Sequence, residues 1–222
     1  MHNSPKINLL FLTLIVFIAP ALFAADPSAG SALLTKFNAS TNSVEKRELL
    51  ASLKSFFPEP GQLAPEWAVI LVGNALKDEN PVVVAEAAMQ VGQLQLTQYA
   101  PDLIQLYNEA ETKYAACGYV ERVRYAIIPS LGKTGTTDAK QLIVNLLKKD
   151  NGSDMGELLL IAIRDLNDPS LIKDIVSYKT KMHSLVQTLK QKGHDPLIYS
   201  LPLYYIKLTS EVEQTLLAKG GK

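Results

Sequence analysis

Side chains able to do chemistry are few in this chain and thinly spread. Cys117 is the only cysteine, and the histidines are three: His2, His183 and His194. Metal centres need several such ligands at short spacings, as in paired CxxC motifs. No such spacing occurs, so neither a metal nor a cofactor is expected. Cys117 could act as a reactive thiol, as half of an intermolecular disulfide, or as a nucleophile with His183 and an acidic residue brought to it by the fold. Nothing in the adjoining sequence marks Cys117 as an activated nucleophile. The simpler reading is a small residue in a turn beside Gly118. Ser130-Leu131-Gly132-Lys133-Thr134-Gly135 matches only the last residues of a phosphate-binding loop. That motif needs a glycine five residues before Gly132, where Ile127 stands, and a helix that starts at the lysine. Here a helix is predicted to end there. Glu109 with Glu111, and Glu211 with Glu213, sit two apart and face different sides of a helix. They suit a solvated surface better than an acid-base pair. No catalytic residue is assigned, and the expectation is a protein that is not an enzyme.

The remaining chemistry-bearing side chains are contact-forming rather than reactive. Tyr99, Tyr107, Tyr114, Tyr119 and Tyr125 crowd the centre, and Tyr199, Tyr204 and Tyr205 crowd the C-terminal region. Tyrosine joins a large apolar ring to a hydrogen-bonding tip, so such clusters serve either contact patches or packing between helices. Asn38-Ala39-Ser40 and Asn151-Gly152-Ser153 are formal glycosylation acceptors, though both also read as polar turns or helix caps. The 22 basic and 22 acidic residues cancel, which removes the electrostatic footprint of nucleic-acid binding.

These side chains must be positioned by helices, and the helices come in a repeated pattern. Val83, Ala87, Ala88 and Val91 lead to Gly92, then Pro101 and a second run through Leu103, Ile104 and Tyr107. Val123, Ile127, Ile128 and Leu131 lead to Gly132, then Asp138 and a run through Leu142, Ile143, Leu146 and Leu147. Leu49, Leu50 and Leu53 repeat the apolar spacing earlier in the chain, and Ala162, Ile163 and Leu166 fit it later. With Lys54, Gly92, Gly132 and Asn167 taken as equivalent, the intervals are 38, 40 and 35 residues. Intervals of this size suit stacked two-helix units, none of which buries its apolar face alone.

Helix-start signals agree with the periodicity. Asn42 is placed to cap a helix with Glu45 completing a capping box. Pro65, with Trp67, Ile70, Leu71 and Leu76 behind it, Pro101, Thr137-Asp138 and Asp168-Pro169 open the partner helices. Asp195-Pro196, Ser200-Leu201-Pro202 and Ser210 with Glu213 punctuate a terminal segment predicted to shield the last apolar face.

Ahead of the repeats, Met1–Ala24 has the form of a secretory leader. Lys6 is its only charge, Leu9 to Ala19 is apolar apart from Thr13, and Leu22-Phe23-Ala24 suits a peptidase. The chain then divides into a leader (1–24), an N-terminal extension (25–41), a repeat array (42–192), a helical cap (193–219) and a tail (220–222). The expected location is the periplasm or outside the cell, with no membrane-crossing segment after cleavage and no internal disulfide.

From Asn42 to Met182 the chain resembles the HEAT-repeat family, in particular the short HEAT-like repeats of bilin lyases. Its best match runs from Val123-Arg124 through Leu131-Gly132 to Thr137-Asp138-Ala139. Val84 stands where that family often has arginine, and Lys54 and Asn167 replace glycine. The resemblance implies an all-α solenoid of about four helix pairs with a helical C-terminal cap, serving as a binding scaffold. It also implies that the second helix of each pair lines the concave side. Polar positions on those helices are Gln105, Asn108, Gln141, Asn145, Lys148, Lys173 and Asp174, expected to bind a protein or an extended peptide. The alternatives are an envelope subunit docked through the C-terminal tyrosines and an enzyme built on a cleft holding Cys117 or His183.

Overall fold

The computed structural model describes residues 27–57 and 63–220. The leader, the break at Pro58 to Gly61 and the last two residues of the tail lie outside the described residues. The helices are α1 (Pro27–Ala39), α2 (Ser43–Ala51) with its short continuation α3 (Leu53–Phe56), α4 (Glu66–Ala75), α5 (Pro81–Gln93) and α6 (Ala100–Tyr114). They continue as α7 (Val120–Thr134), α8 (Thr137–Lys149), α9 (Met155–Leu166), α10 (Ile172–Gln191) and α11 (Ser200–Gly220). No strand occurs among the described residues.

Successive helices alternate between two rows. In the first row α2, α5, α7, α9 and α11 lie side by side in that order. The second row holds α1 against α4 and α6 against α8 against α10. Its halves are joined through Tyr99, just before α6, whose hydroxyl donates to the Val69 carbonyl of α4 at 2.9 Å. The architecture is the expected all-α, HEAT-like solenoid, and α11 supplies the helical cap by closing over α9 and α10.

The apolar residues that define the repeat all point between the rows. Leu50, Leu53, Ala87, Ala88, Val91, Ile127, Ile128 and Leu131 are fully buried in one continuous core. In α4 the inward face is Ala68, Leu71, Val72 and Ala75, whereas Ile70, expected inside, is exposed. Small residues set the pitch of the first row. A Cβ on Gly92 would fall 2.7 Å from the Ser130 Cα, and one on Gly132 would fall 2.6 Å from the Ala162 Cα and carbonyl oxygen. Backbones in α5, α7 and α9 thus touch nearly directly, and the first row is more closely spaced than the second.

These contacts correct the register of the last repeat. Gly92 faces Ser130 and Gly132 faces Ala162, so Ala162 corresponds to Ser130. The counterparts of Ile127, Ile128 and Leu131 are then Leu159, Leu160 and Ile163, one turn earlier than the sequence expectation. Burial agrees, since Leu159 and Leu160 are buried and Leu166 is only partly so. The terminators agree too. Asn167 (φ +51°) ends α9 in the left-handed region as Gly135 (φ +66°) ends α7, so Asn167 matches Gly135, not Gly132.

Helix starts follow the expected polar residues, with three corrections. Asn42 accepts from the Val44 and Glu45 amides, Asp168 from Ser170 and Asp195 from Leu197; Asn80, not among the expected caps, accepts from Val82 at the start of α5. Glu45 does not close a capping box, because its carboxylate accepts from Ser40 and pairs with Lys36. The cap of α8 is Thr136, whose hydroxyl accepts from the Ala139 amide, one residue before the expected start. Ser210 starts no helix, since α11 is continuous and the Ser210 hydroxyl donates back to the Ile206 carbonyl.

Two outcomes test this packing. Gly132→Ala must push α7 and α9 apart and is expected to cost about 1–3 kcal/mol in urea denaturation; an unchanged midpoint would mean that these helices separate freely. The second concerns Asp168, which accepts from Lys140 across the α8 to α10 junction and from the Ser170 amide. The Lys140 bond first, then those from Ser170, lower its pKa to about 2. A carboxyl depressed on folding stabilises above its unfolded pKa and loses that effect as pH falls. The stability gap between the native protein and Asp168→Asn should therefore narrow from about pH 5 down to about pH 2. A gap constant with pH would remove the carboxylate from the account.

Candidate partner-binding surface

The expected ladder is in place on the second row. Gln105 and Asn108 are exposed on α6, Gln141, Asn145 and Lys148 on α8, and Lys173 on α10, with Asp174 half-buried beside it. Much of its hydrogen-bonding capacity is already used. Gln105 donates to Glu109 at 2.7 Å, Gln141 to Asn145 at 3.1 Å, and Lys148 pairs with Asp174 at 3.0 Å between α8 and α10. A hollow of about 70 Å³ opens there, lined by Lys148, Asp174, Tyr178 and Lys181 among others. The ladder lies along the second row, whose helices approach one another less closely than those of the first.

Larger clefts open on either side of α7, one of them reaching across to α6 and α8 of the second row. One of about 550 Å³ is lined by Glu121, Arg124 and Tyr125 with residues of α8, α9 and the turn between them. The other, about 470 Å³, spans α2, α3, α5 and α7 and includes Lys54, Met89, Gln90, Tyr125, Pro129 and Lys133. Residues four apart on a helix share one face, and Glu121, Tyr125, Pro129 and Lys133 form such a stripe along α7. Tyr125 lines both clefts and is 36% exposed, a large ring at the crest between them.

The second cleft has a local cause. Where α7 and α9 offer Ser130 and Ala162 to a neighbouring glycine, the corresponding residue of α5 is Gln90, and the glycine position of the preceding repeat is Lys54. Two long side chains replace two small ones, so α2 and α5 pack less closely than α5 and α7. In the first cleft, the Arg124 guanidinium lies 5.3 Å from the Tyr107 ring centroid and pairs with Glu111 at 3.3 Å. Burial raises the Tyr107 pKa despite the opposing charge of Arg124.

The C-terminal tyrosines divide between packing and exposure. Tyr205 is fully buried, and its hydroxyl donates to the Ser153 carbonyl at 2.7 Å; burial pushes its pKa up to about 12. Tyr178, also buried, donates to Asp150 Oδ2 at 2.6 Å. Asp150 in turn accepts from the Gly152 and Ser153 amides, which explains Asn151-Gly152-Ser153 as a closed turn. Tyr204 is exposed beside exposed Leu203, with Leu197 and Ile198 also exposed ahead of α11. At the other acceptor motif, Asn38 takes a hydrogen bond from Asn74 at 3.1 Å.

Cys117 lies exposed in the turn before Gly118, its thiol donating to the Tyr114 carbonyl at 3.2 Å. His183 is exposed on α10. Neither lines the clefts described above. Among the described residues no group of three His, Cys, Asp or Glu could hold a metal ion, and no helix is long and apolar enough to cross a membrane.

Paired helices, a shared core and near-contact through small residues define a helical repeat array. Residues 123–149, which are α7 and α8 with their connecting turn, match the family model for the PBS lyase HEAT-like repeat and support a HEAT-repeat family for the chain. No curated protein and no solved structure matched the chain.

The turn held by the buried tyrosines gives a direct test. Tyr178→Phe removes one donor from Asp150 and is expected to cost about 1–2 kcal/mol. It should also speed hydrogen exchange at the Gly152 and Ser153 amides, and unchanged exchange would separate the turn from the tyrosine.

Proposed function

We propose that the protein is a non-enzymatic, exported scaffold that holds a protein or peptide partner along the first row, centred on α7. HEAT-like repeats commonly mediate protein interactions, which supports a binding role at the level of the class. The observation that carries the placement is Tyr125, a large exposed aromatic ring on α7, shared by two clefts. Aromatic anchors flanked by concave surface are the usual centres of binding energy. Export rests on the leader-like Met1–Ala24.

A second reading has its own support. Leu197, Ile198, Leu203 and Tyr204 expose apolar surface near the C-terminal end of the array, as a subunit docked in an envelope complex would.

A photo-crosslinking residue placed at Tyr125 or at Asn145 in living cells compares the two rows. The expected result is a crosslinked partner from position 125 that disappears with Met89→Asp, and none from 145. Capture from 145 alone would return the site to the second-row ladder. A large complex, dissociated by Leu203→Asp and indifferent to Met89→Asp, would favour the envelope subunit.

A further inference from the structure

The cleft over α2, α3, α5 and α7 combines apolar surface with unpaired positive charge. Ala51, Met89, Ala126 and Pro129 supply the apolar part. Lys54 and Lys133 are exposed, and neither has an ion-pair partner among the described residues. Glu86 is the only carboxylate in the lining, and it already accepts from Gln90 Nε2 at 2.9 Å. The lining therefore carries one surplus positive charge.

Its uncommitted backbone and amide groups are acceptors. Pro129 lies inside α7 and has no N–H, so the Tyr125 carbonyl lacks its partner four residues on. Gln90 Oε1, which also lacks a donor, is closed off beneath the lining and out of a ligand's reach. A fitting ligand thus brings an N–H donor for the Tyr125 carbonyl, an apolar side chain and negative charge.

We propose that this cleft binds an extended acidic peptide segment of a partner protein. Its apolar side chains lie on Met89 and Pro129, its carboxylates approach Lys54 and Lys133, and its backbone amides face the Tyr125 carbonyl. A nucleic acid fits less well, because two lysines in a chain of balanced charge give no extended basic track. The inference depends on the scaffold reading for its site and adds the chemistry of the occupant.

The probes are three capped peptides of equal length, alternating leucine with glutamate, glutamine or lysine, titrated against the purified full chain by fluorescence anisotropy. The glutamate peptide should bind tightest and weaken between about 0.05 and about 0.3 M salt as screening grows. Lys54→Glu with Lys133→Glu should weaken it about tenfold, with the helical circular dichroism unchanged, and Met89→Asp should weaken it as well. Equal binding of the glutamate and glutamine peptides, indifference to the double variant, or no binding of any peptide would overturn the proposal. Glutamine-peptide binding lost with Met89→Asp would refute only the acidic chemistry and leave the scaffold reading standing. Loss seen only with Lys148→Glu and Lys173→Glu would refute the site itself. Self-association abolished by Met89→Asp would make a second copy the occupant and overturn it too.

Discussion

The fold depends on how closely the backbones of α5, α7 and α9 approach each other. Gly92 against Ser130 and Gly132 against Ala162 leave no room for a further carbon atom, so dispersion forces act between main chains as well as side chains. That closeness fixes how near α5, α7 and α9 lie in the first row, while the helices of the second row approach one another less closely.

The fold was legible because the residues that build it act locally or recur. Asn42, Asp168 and Asp195 satisfy first-turn amides whatever the tertiary context, and each does so here. The apolar triplet of the first row is equally plain, but its spacing of one and three cannot fix a register to better than a turn. Ala162-Ile163-Leu166 and Leu159-Leu160-Ile163 carry the same spacing, and only the glycine facing Ala162 separates them. Ser210 with Glu213 shows the opposite failure, a capping signature overridden by a helix that had already begun.

The candidate surface was less legible for a related reason. Exposure of Gln105, Asn108, Gln141, Asn145, Lys148 and Lys173 follows from helix periodicity, and the structure has each of them at the surface. Whether that surface is hollow depends on distances between helices, which no single helix encodes. The informative signal was a departure from the repeat. Lys54 in place of glycine reads in sequence as a worn copy, yet with Gln90 it marks the place where the first row loosens and a cleft forms. Tyr125 stood in the central tyrosine cluster, whose rings could serve contact or packing, and only its 36% exposure at the edge of two clefts separates it from buried Tyr114.

The uneven first row also bears on mechanics. From α5 to α9 the main chains are wedged together, whereas the junction of α2 with α5 is held by longer, jointed side chains. Thermal flexing of such an array concentrates at its softest seam and spares the rigid block beside it. The mouth that lies over this seam therefore has one wall, α7, braced by main-chain contact with its neighbours and another, α2, held through side chains alone.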